Sequence, residues 1–404
     1  MPFPRGKKPT AGVSKLSGRA PGMENQMEIL NNKRSPSSPQ GAPKKRSAFV
    51  DITNANKTAV SNATKKTAVK KTQKSSVAAV KTESSTKKCN SVTSAGAPEK
   101  EEKVGRSPVE KPVESPNKEP SQIQHASVPE EFDIDKEHSG DCFMTSEYAK
   151  EIFDYLKKRE EKFALQDYMH KQPDLTQDMR GILVDWMVEV QENFELNHET
   201  LYLAVKLTDH YLSSTVVMRE SLQLIGSTSM LIASKFEERC PPCVDDFLYI
   251  CDDAYKREEL IAMEVNILQA LNFEINIPVA YRFLRRYARC VQASMETLTL
   301  ARYVCELSLL ELEMVPERGS RLASACLLLA LIMKELGGWT ASLEYHTGYA
   351  VSDLSPLVRK LHHMVAFPAD EKLKAVRNKY SHKVFFEVAK TPLPPLHTLE
   401  GALK

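Results

Sequence analysis

The chain has 404 residues, and its charge is divided unevenly: residues 1–128 carry 24 Lys and Arg against 10 Asp and Glu, whereas the remainder carries 31 against 43. The overall formal charge of +2 is therefore a cancellation between a basic and an acidic part. The eight cysteines are irregularly spaced, and we find neither a signal peptide nor an apolar run long enough to cross a bilayer. These features predict a reduced, intracellular protein with no membrane partner and no disulfide framework.

Residues 1–130 are predicted to be a disordered basic tail. They are poor in aromatic residues and rich in Ser, Thr, Pro and Lys, as in KKTAVKKTQKSS. Such a composition cannot bury enough apolar surface to offset the entropy lost on ordering. The PKKR cluster at 43–46 and the neighbouring Lys pairs fit importin binding and nuclear localisation, although a non-specific solvated tail is the alternative. The tail has no RNP, zinc-finger or basic-zipper pattern, so we expect no direct contact with nucleic acid.

Helix-period patterns follow one another through the rest of the chain, with breaks that contain Pro or Gly. They lie near 144–164, 176–193, 198–213, 219–238, 256–272, 278–291, 296–313, 318–337, 352–366 and 370–381.

Strand alternation is nearly absent, and FEINIP at 273–278 is better interpreted as a linker. Two blocks of short helices each contain a central apolar helix rich in small residues. The two blocks, residues 176–272 and 278–381, predict an all-α fold with two helical domains in tandem.

The segment MRGILVDWMVEV, residues 179–190, has more apolar surface than a single core requires. Wound as a helix, its apolar arc exceeds half of the circumference, whereas a helix packed on one core shows a stripe of only a little over ~100°. Either the helix runs through the centre of a bundle, or part of this face binds a partner. The segment alone leaves both explanations open.

Catalytic and cofactor motifs are missing from the sequence: it has no GxGxxG, Walker, HExxH or GxSxG pattern. Cys240-Pro-Pro-Cys243 is the one arrangement that resembles a metal or redox motif. A zinc site needs four ligands, and neither a second CxxC nor a nearby His completes a set. We therefore expect two free thiols in a loop, no metal, no cofactor and no enzyme activity.

Four stretches in order, MRGILVDW, LQLIG, ASKFEE and the pair Met263–Glu264, closely resemble the cyclin box. The five positions typical of that box are present as Arg180, Asp209, Leu224, Lys235 and Glu264. FLRRYARC at 283–290 and HTGYAVSDL resemble the mitotic B-type branch of the family, nearest its third subtype. The resemblance covers about residues 145–390 and implies an all-α fold, a tandem pair of five-helix cyclin folds after a short N-terminal helix. The N-terminal helix and first cyclin fold would span residues 140–275, the second cyclin fold 276–390 and a C-terminal extension 391–404.

The resemblance implies roles for three groups of residues. Arg180 and Asp209 would form an internal salt bridge that orders the first fold. A cyclin-dependent kinase would be bound by Tyr155, Lys235, Phe236, Glu264, Leu268, Phe273 and Ile275. Substrates with Arg-x-Leu segments would dock on an exposed patch formed by Met179, Ile182, Leu183, Trp186, Glu189, Leu222 and Gln223. On this interpretation, part of the excess apolar face at 179–190 stays open as a groove.

The resemblance also implies regulatory motifs in the tail. Arg46, Phe49 and Asn54 match a destruction box, Arg-x-x-Leu-x-x-x-x-Asn, except that Phe replaces Leu. Such a signal implies recognition by the ubiquitin ligase of mitotic exit. Five residues precede proline and are phosphorylation candidates: Ser35, Ser38, Ser107, Ser115 and Thr391.

The implied function is that of a regulatory subunit, which activates a mitotic cyclin-dependent kinase, directs it to substrates and is then destroyed. Two alternatives come from other functional classes, and only the first keeps the cyclin fold. A transcription-factor-like cyclin fold that binds DNA would favour a basic folded part, and here that part carries a formal charge of −12. An enzyme with an unrecognised site would need a polar pocket that the sequence does not indicate.

Overall fold

The computed structural model describes residues 128–141, 144–367 and 372–404. These ranges contain thirteen α-helices, several short 3-10 turns and no β-strand, as the sequence predicts. All of the described residues belong to one compact unit. Within the described ranges, no helix is long and apolar enough to span a membrane.

The first fold follows a separate N-terminal helix, α1 (Ala149–Glu160). Its five helices are α2 (Gln177–Asn193), α3 (His198–Ser214), α4 (Leu222–Glu237), α5 (Val244–Ile250) and α6 (Arg257–Ala270). The segment after α6 has no regular structure until residue 280, in agreement with the linker predicted at 273–278.

The second fold also has five helices: α7 (Ala280–Cys290), α8 (Met295–Leu310), α9 (Gly319–Met333), α10 (Ala341–Thr347) and α11 (Val351–Ala366). Two short helices follow, α12 (Ala375–Tyr380) and α13 (Leu396–Ala402). Each of the ten predicted segments overlaps an observed helix, with bounds that agree to within a few residues. The periodicity does not predict the three seven-residue helices α5, α10 and α13, because two turns give only a weak 3.6-residue period.

Small residues let the central helices approach their neighbours closely. In the first fold, Leu183 of α2 packs into the notch left by Gly226 of α4, where an added Cβ would lie 2.7 Å from Leu183 Cδ1. In the second fold, α9 packs against α7, α8 and α11, and its small residues Ala323, Ser324 and Ala325 are fully buried. These contacts explain why each block of the sequence has one apolar helix rich in Ala, Ser or Gly.

The ion pair of Arg180 and Asp209 is buried, with both side chains at most 3% exposed. The Arg180 Nε and Nη2 atoms each donate to a carboxylate oxygen of Asp209 at 2.7 Å. Burial opposes ionisation of this carboxylate, but the charge and hydrogen bonds of Arg180 outweigh it and lower the pKa of Asp209. Tyr168 donates to the same carboxylate at 2.6 Å.

Arg180 also contacts the second fold. Arg180 Nη1 also donates to the Leu309 carbonyl of α8 at 2.8 Å, which belongs to the second fold. One guanidinium therefore satisfies a carboxylate in one fold and a helix C-terminal carbonyl in the other. The structure extends the predicted role of Arg180 from ordering one domain to joining two.

A second buried network anchors α12 between the folds. Lys379 Nζ donates to Glu306 of α8 at 2.7 Å and to Gln191 of α2 at 2.8 Å. Asp185 of α2 accepts the backbone N–H of Ala375 at 2.9 Å, at the start of α12. These contacts attach the segment after the second fold to the central helix of the first.

Candidate partner-binding surface

Helix α6 presents an apolar face that nothing in the described chain covers fully. Only Leu260 and Ile267 of this helix are buried. On another face, Ile261 and Val265 lie one turn apart and are 42% and 46% exposed. Phe236, at the end of α4, is 44% exposed. Exposed apolar residues that cluster in this way mark an interaction surface more often than scattered single ones.

Lys235 and Glu264 meet at this surface. Lys235 Nζ lies 2.7 Å and 2.9 Å from the two carboxylate oxygens of Glu264. The Lys235 side chain is 49% exposed and that of Glu264 is 17% exposed. The two residues predicted to bind a kinase thus lie together and are paired with each other.

A strained turn adds an aromatic side chain next to α6. Asn272 and Phe273 both have positive φ, 49° and 59°, a conformation that is rare for bulky residues. The turn closes with a hydrogen bond from Phe273 N to Leu268 O of 2.8 Å. It leaves the Phe273 side chain 67% exposed. The strained backbone therefore holds an apolar side chain in solvent.

Helix α1 lies beside this turn. Arg159 donates to the Asn276 carbonyl at 2.8 Å, which places the C-terminal end of α1 at the linker. Ile152 and Tyr155 share the helical face of Arg159 and are 41% and 55% exposed. The opposite face packs on the second fold, where Phe153 contacts Phe283 with ring centroids 6.2 Å apart.

The structure brings together most of the residues predicted to bind a kinase. We call this the α6 surface; it comprises Lys235, Phe236, Ile261, Glu264, Val265 and Phe273, with Ile152 and Tyr155 of α1 at its edge. Leu268 and Ile275 are half-buried and pack against the core beneath it. Sequence reasoning missed Ile152, Ile261 and Val265, although the i, i+4 spacing of Ile261 and Val265 around Glu264 could have indicated them.

The predicted docking patch on α2 is a different case. Leu183, Trp186 and Leu222 are at most 2% exposed, and Ile182 and Gln223 are 9% exposed. Met179 and Glu189 are half-buried at the rim. The expectation of an open apolar groove here is wrong in this structure, because α2 packs against α4 on one side and against α8 and α12 on others. Its excess apolar surface is explained by its central position.

The other predicted sites fall into two groups. Cys240 and Cys243 are exposed free thiols in the loop between α4 and α5, and Thr391 is half-exposed after α12. The destruction box at Arg46, Phe49 and Asn54, the basic clusters, and Ser35, Ser38, Ser107 and Ser115 all lie outside the described residues.

Comparison with known proteins agrees with this arrangement. The cyclin N-terminal domain matches residues 151–276, and the cyclin C-terminal domain matches residues 278–394. The chain is 57% identical to a G2/mitotic-specific cyclin-B3 of Gallus gallus, with all of both chains covered. It is 54% identical to a Homo sapiens protein of the same description over 72% of this chain, but this match spans only 21% of the human protein.

A solved viral cyclin from herpesvirus saimiri is 24% identical, with a TM-score of 0.48, and the alignment covers 57% of this chain and 99% of the viral one. The domain matches together span more than half of the chain, and the Gallus gallus relative aligns from end to end. The resemblance drawn from the cyclin-box positions is therefore confirmed. The chain belongs to the cyclin family, in its mitotic B-type branch.

Proposed function

We propose that the chain is a non-catalytic regulatory subunit that binds and activates a cyclin-dependent kinase in G2 and mitosis. The observation that carries this proposal is the α6 surface, where exposed apolar side chains surround an exposed ion pair. Protein interfaces commonly have aromatic anchors at their centre, and Phe236 and Phe273 fit that role. Binding would stabilise the active arrangement of the helix and activation loop of the kinase, which is a shift in population and needs no catalytic residue from this chain.

The pairing of Lys235 with Glu264 favours partner binding for an energetic reason. An exposed ion pair contributes only about 0–1 kcal/mol to stability, because water screens the charges. Redirecting either side chain toward a kinase therefore costs little. Once the partner covers the surface, the same charges become desolvated, and loss of one of them would cost about 2–5 kcal/mol of binding free energy.

Two equally small substitutions test this proposal. Val265→Ser changes the α6 surface, whereas Val384→Ser changes a valine that is 67% exposed after α12. We expect Val265→Ser to weaken activation of a purified mitotic cyclin-dependent kinase on a histone-like peptide, and Val384→Ser to leave it unchanged. Equal activation by both variants would overturn the assignment of the surface, and no activation by the wild-type chain would overturn the proposed function.

Destruction, nuclear import and substrate docking extend the proposal beyond kinase binding. The tail motif at Arg46, Phe49 and Asn54 supports ubiquitin-dependent destruction, and the basic clusters support importin binding and a nuclear location. Changing Arg46 and Phe49 to Ala should prolong the lifetime of the protein in mitotic-exit extract and leave kinase activation intact. Equal lifetimes would show that Phe49 has not preserved the signal. Docking of Arg-x-Leu segments would have to begin at the rim residues Met179 and Glu189.

A further inference from the structure

An acidic segment ahead of α1 is bound to the second fold. This segment, Glu130–Asp135 (EEFDID), begins with a single 3-10 turn at Glu130–Phe132. The Phe132 ring stacks on Tyr345 of α10 with centroids 4.9 Å apart. The Phe132 carbonyl accepts a hydrogen bond of 2.7 Å from His346 Nε2.

The strongest contact of the segment is with Arg286 of α7. Its Nη1 and Nη2 atoms donate to the two carboxylate oxygens of Asp135 at 2.5 Å and 2.6 Å. The Arg286 side chain is only 4% exposed. A guanidinium buried to this degree is costly without a partner, and among the described residues Asp135 supplies its one ion pair. The second fold therefore carries a binding position that requires a carboxylate.

The spacing of the two anchors is set within the segment itself. The Asp133 carboxylate accepts the backbone N–H groups of Asp135 and Lys136 at 3.0 Å and 3.1 Å. This local turn presents Phe132 and Asp135 to the same surface three residues apart. Aromatic stacking, a carbonyl acceptor and a bidentate carboxylate together define a short motif, Phe-x-x-Asp.

The site also contacts the helix that displays Tyr155. The Arg286 guanidinium lies 5.3 Å from the ring centroid of Phe153 in α1, within the range of a cation–π contact. Phe153 is on the inner face of α1, opposite Tyr155. Asp135 thus holds Arg286 against the residue through which α1 packs on the second fold.

We propose that Arg286, Tyr345 and His346 form a binding site for acidic Phe-x-x-Asp peptides, which the segment Glu130–Asp135 occupies in cis as a latch. The latch positions α1 and, on the basis of the proposed function, raises affinity for the kinase. The occupant is part of the chain, so its local concentration is high, on the order of millimolar for a short connection. The latch therefore excludes a free peptide unless the motif is removed.

A peptide-binding experiment tests the site without any kinase. The full chain carrying Phe132→Ala and Asp135→Ala has a vacated site, and the probe is a fluorescent peptide of residues 128–138. We expect the vacated chain to bind the probe at least tenfold more tightly than the wild type does. A probe with Asp135→Asn should bind at least tenfold more weakly, whereas a probe with Glu131→Gln should bind unchanged, because Glu131 is exposed.

Three outcomes would overturn the proposal: no binding to the vacated chain, equal binding to the wild type, or equal binding of the Asp135→Asn probe. Full-length Asp135→Asn removes one charge and no apolar contact, so it controls for misfolding of the double variant. It should bind the probe more tightly than the wild type does. The kinase arm is separate: added peptide should restore kinase activation by the vacated chain. If the wild-type chain activates no kinase, the proposed function fails while the peptide site still stands.

Discussion

Two ion pairs in the first fold have the same chemistry and opposite surroundings. Arg180–Asp209 and Lys235–Glu264 each join a cation and a carboxylate at 2.7 Å, and both pairs involve residues typical of the cyclin box. Both side chains of the first pair are at most 3% exposed, whereas in the second pair Lys235 is 49% and Glu264 is 17% exposed. The buried pair uses its remaining donors to hold the second fold, and the exposed pair lies among uncovered apolar side chains.

The difference shows that the degree of burial, rather than the residue types, decides whether an ion pair stabilises the fold or binds a partner. A buried charge that loses its partner is stranded in a medium of low dielectric constant, so Arg180 and Asp209 can serve only the fold. A partly solvated pair exchanges partners at lower cost than a buried one, so Lys235 and Glu264 can serve an interface. The following predictions are ordered by the size of the expected effect, and each one tests this division.

The largest effect is expected for Arg180→Ala. It strands the Asp209 carboxylate and removes the contact with the Leu309 carbonyl, and breaking a buried pair costs about 3–5 kcal/mol of unfolding free energy. Urea denaturation followed by circular dichroism measures the loss. Lys235→Ala is the matched control and should change stability by less than about 1 kcal/mol. Equal losses for the two variants would remove the distinction between the pairs.

Trp186→Ala tests whether the apolar face of α2 stabilises the fold or binds a partner. A Trp that is 2% exposed should leave a cavity, and such truncations cost about 3–5 kcal/mol. We expect a large fall in melting temperature and equal loss of activity on substrates with and without Arg-x-Leu. An unchanged melting temperature with selective loss on Arg-x-Leu substrates would show instead that the face opens to bind them.

Buried histidines predict a pH dependence of stability. Burial, together with the charge of Arg302, lowers the pKa of His198 to about 4, and burial also lowers that of His210 to about 4. For these two imidazoles, the unfolded chain therefore binds more protons than the folded one between about pH 4 and 6.5. Their contribution to stability decreases as the pH falls through this window, by up to about 1.4 kcal/mol per pH unit for each imidazole.

Denaturation at several pH values measures this slope, and His198→Gln should reduce it. The lowered pKa of Asp209 adds a loss of the same sign at still lower pH, since the folded state then binds a proton less readily than the unfolded chain. A slope that is unchanged by His198→Gln would show that His198 is not held neutral by its surroundings.

The smallest effect is expected for Gly181→Ala. A Cβ at this position would lie 3.6 Å from the Leu310 carbonyl oxygen and 3.7 Å from Leu373, which are ordinary contacts. The helix therefore has room for Ala, and the substitution should raise stability by about 0.5–1 kcal/mol. Gly226→Ala is the contrasting variant and should destabilise, because its Cβ would clash with Leu183. Thermal denaturation of the two glycine variants distinguishes the effect of helix propensity on stability from the effect of packing.

The sequence predicts the helical fold and the Arg180–Asp209 pair because periodicity and family positions are local signals, but it does not predict that Lys235 and Glu264 pair with each other. It did not predict which apolar face stays open. The sequence shows the excess apolar face of α2 around Trp186, but packing against α4, α8 and α12 covers that face, whereas Val265 of α6 stays exposed. The contact of Asp135 with Arg286, 151 residues apart, likewise leaves no trace in local pattern.

A charge exchange at the α6 surface tests the central claim most directly. The variant Lys235→Glu with Glu264→Lys preserves the ion pair within the chain but reverses both charges toward a partner. If Lys235 and Glu264 bind a kinase, the exchange variant should keep its melting temperature and lose kinase binding at least tenfold, as Lys235→Ala with Glu264→Ala should. Full kinase binding by the exchange variant would show that the pair serves only the chain itself and would contradict the account.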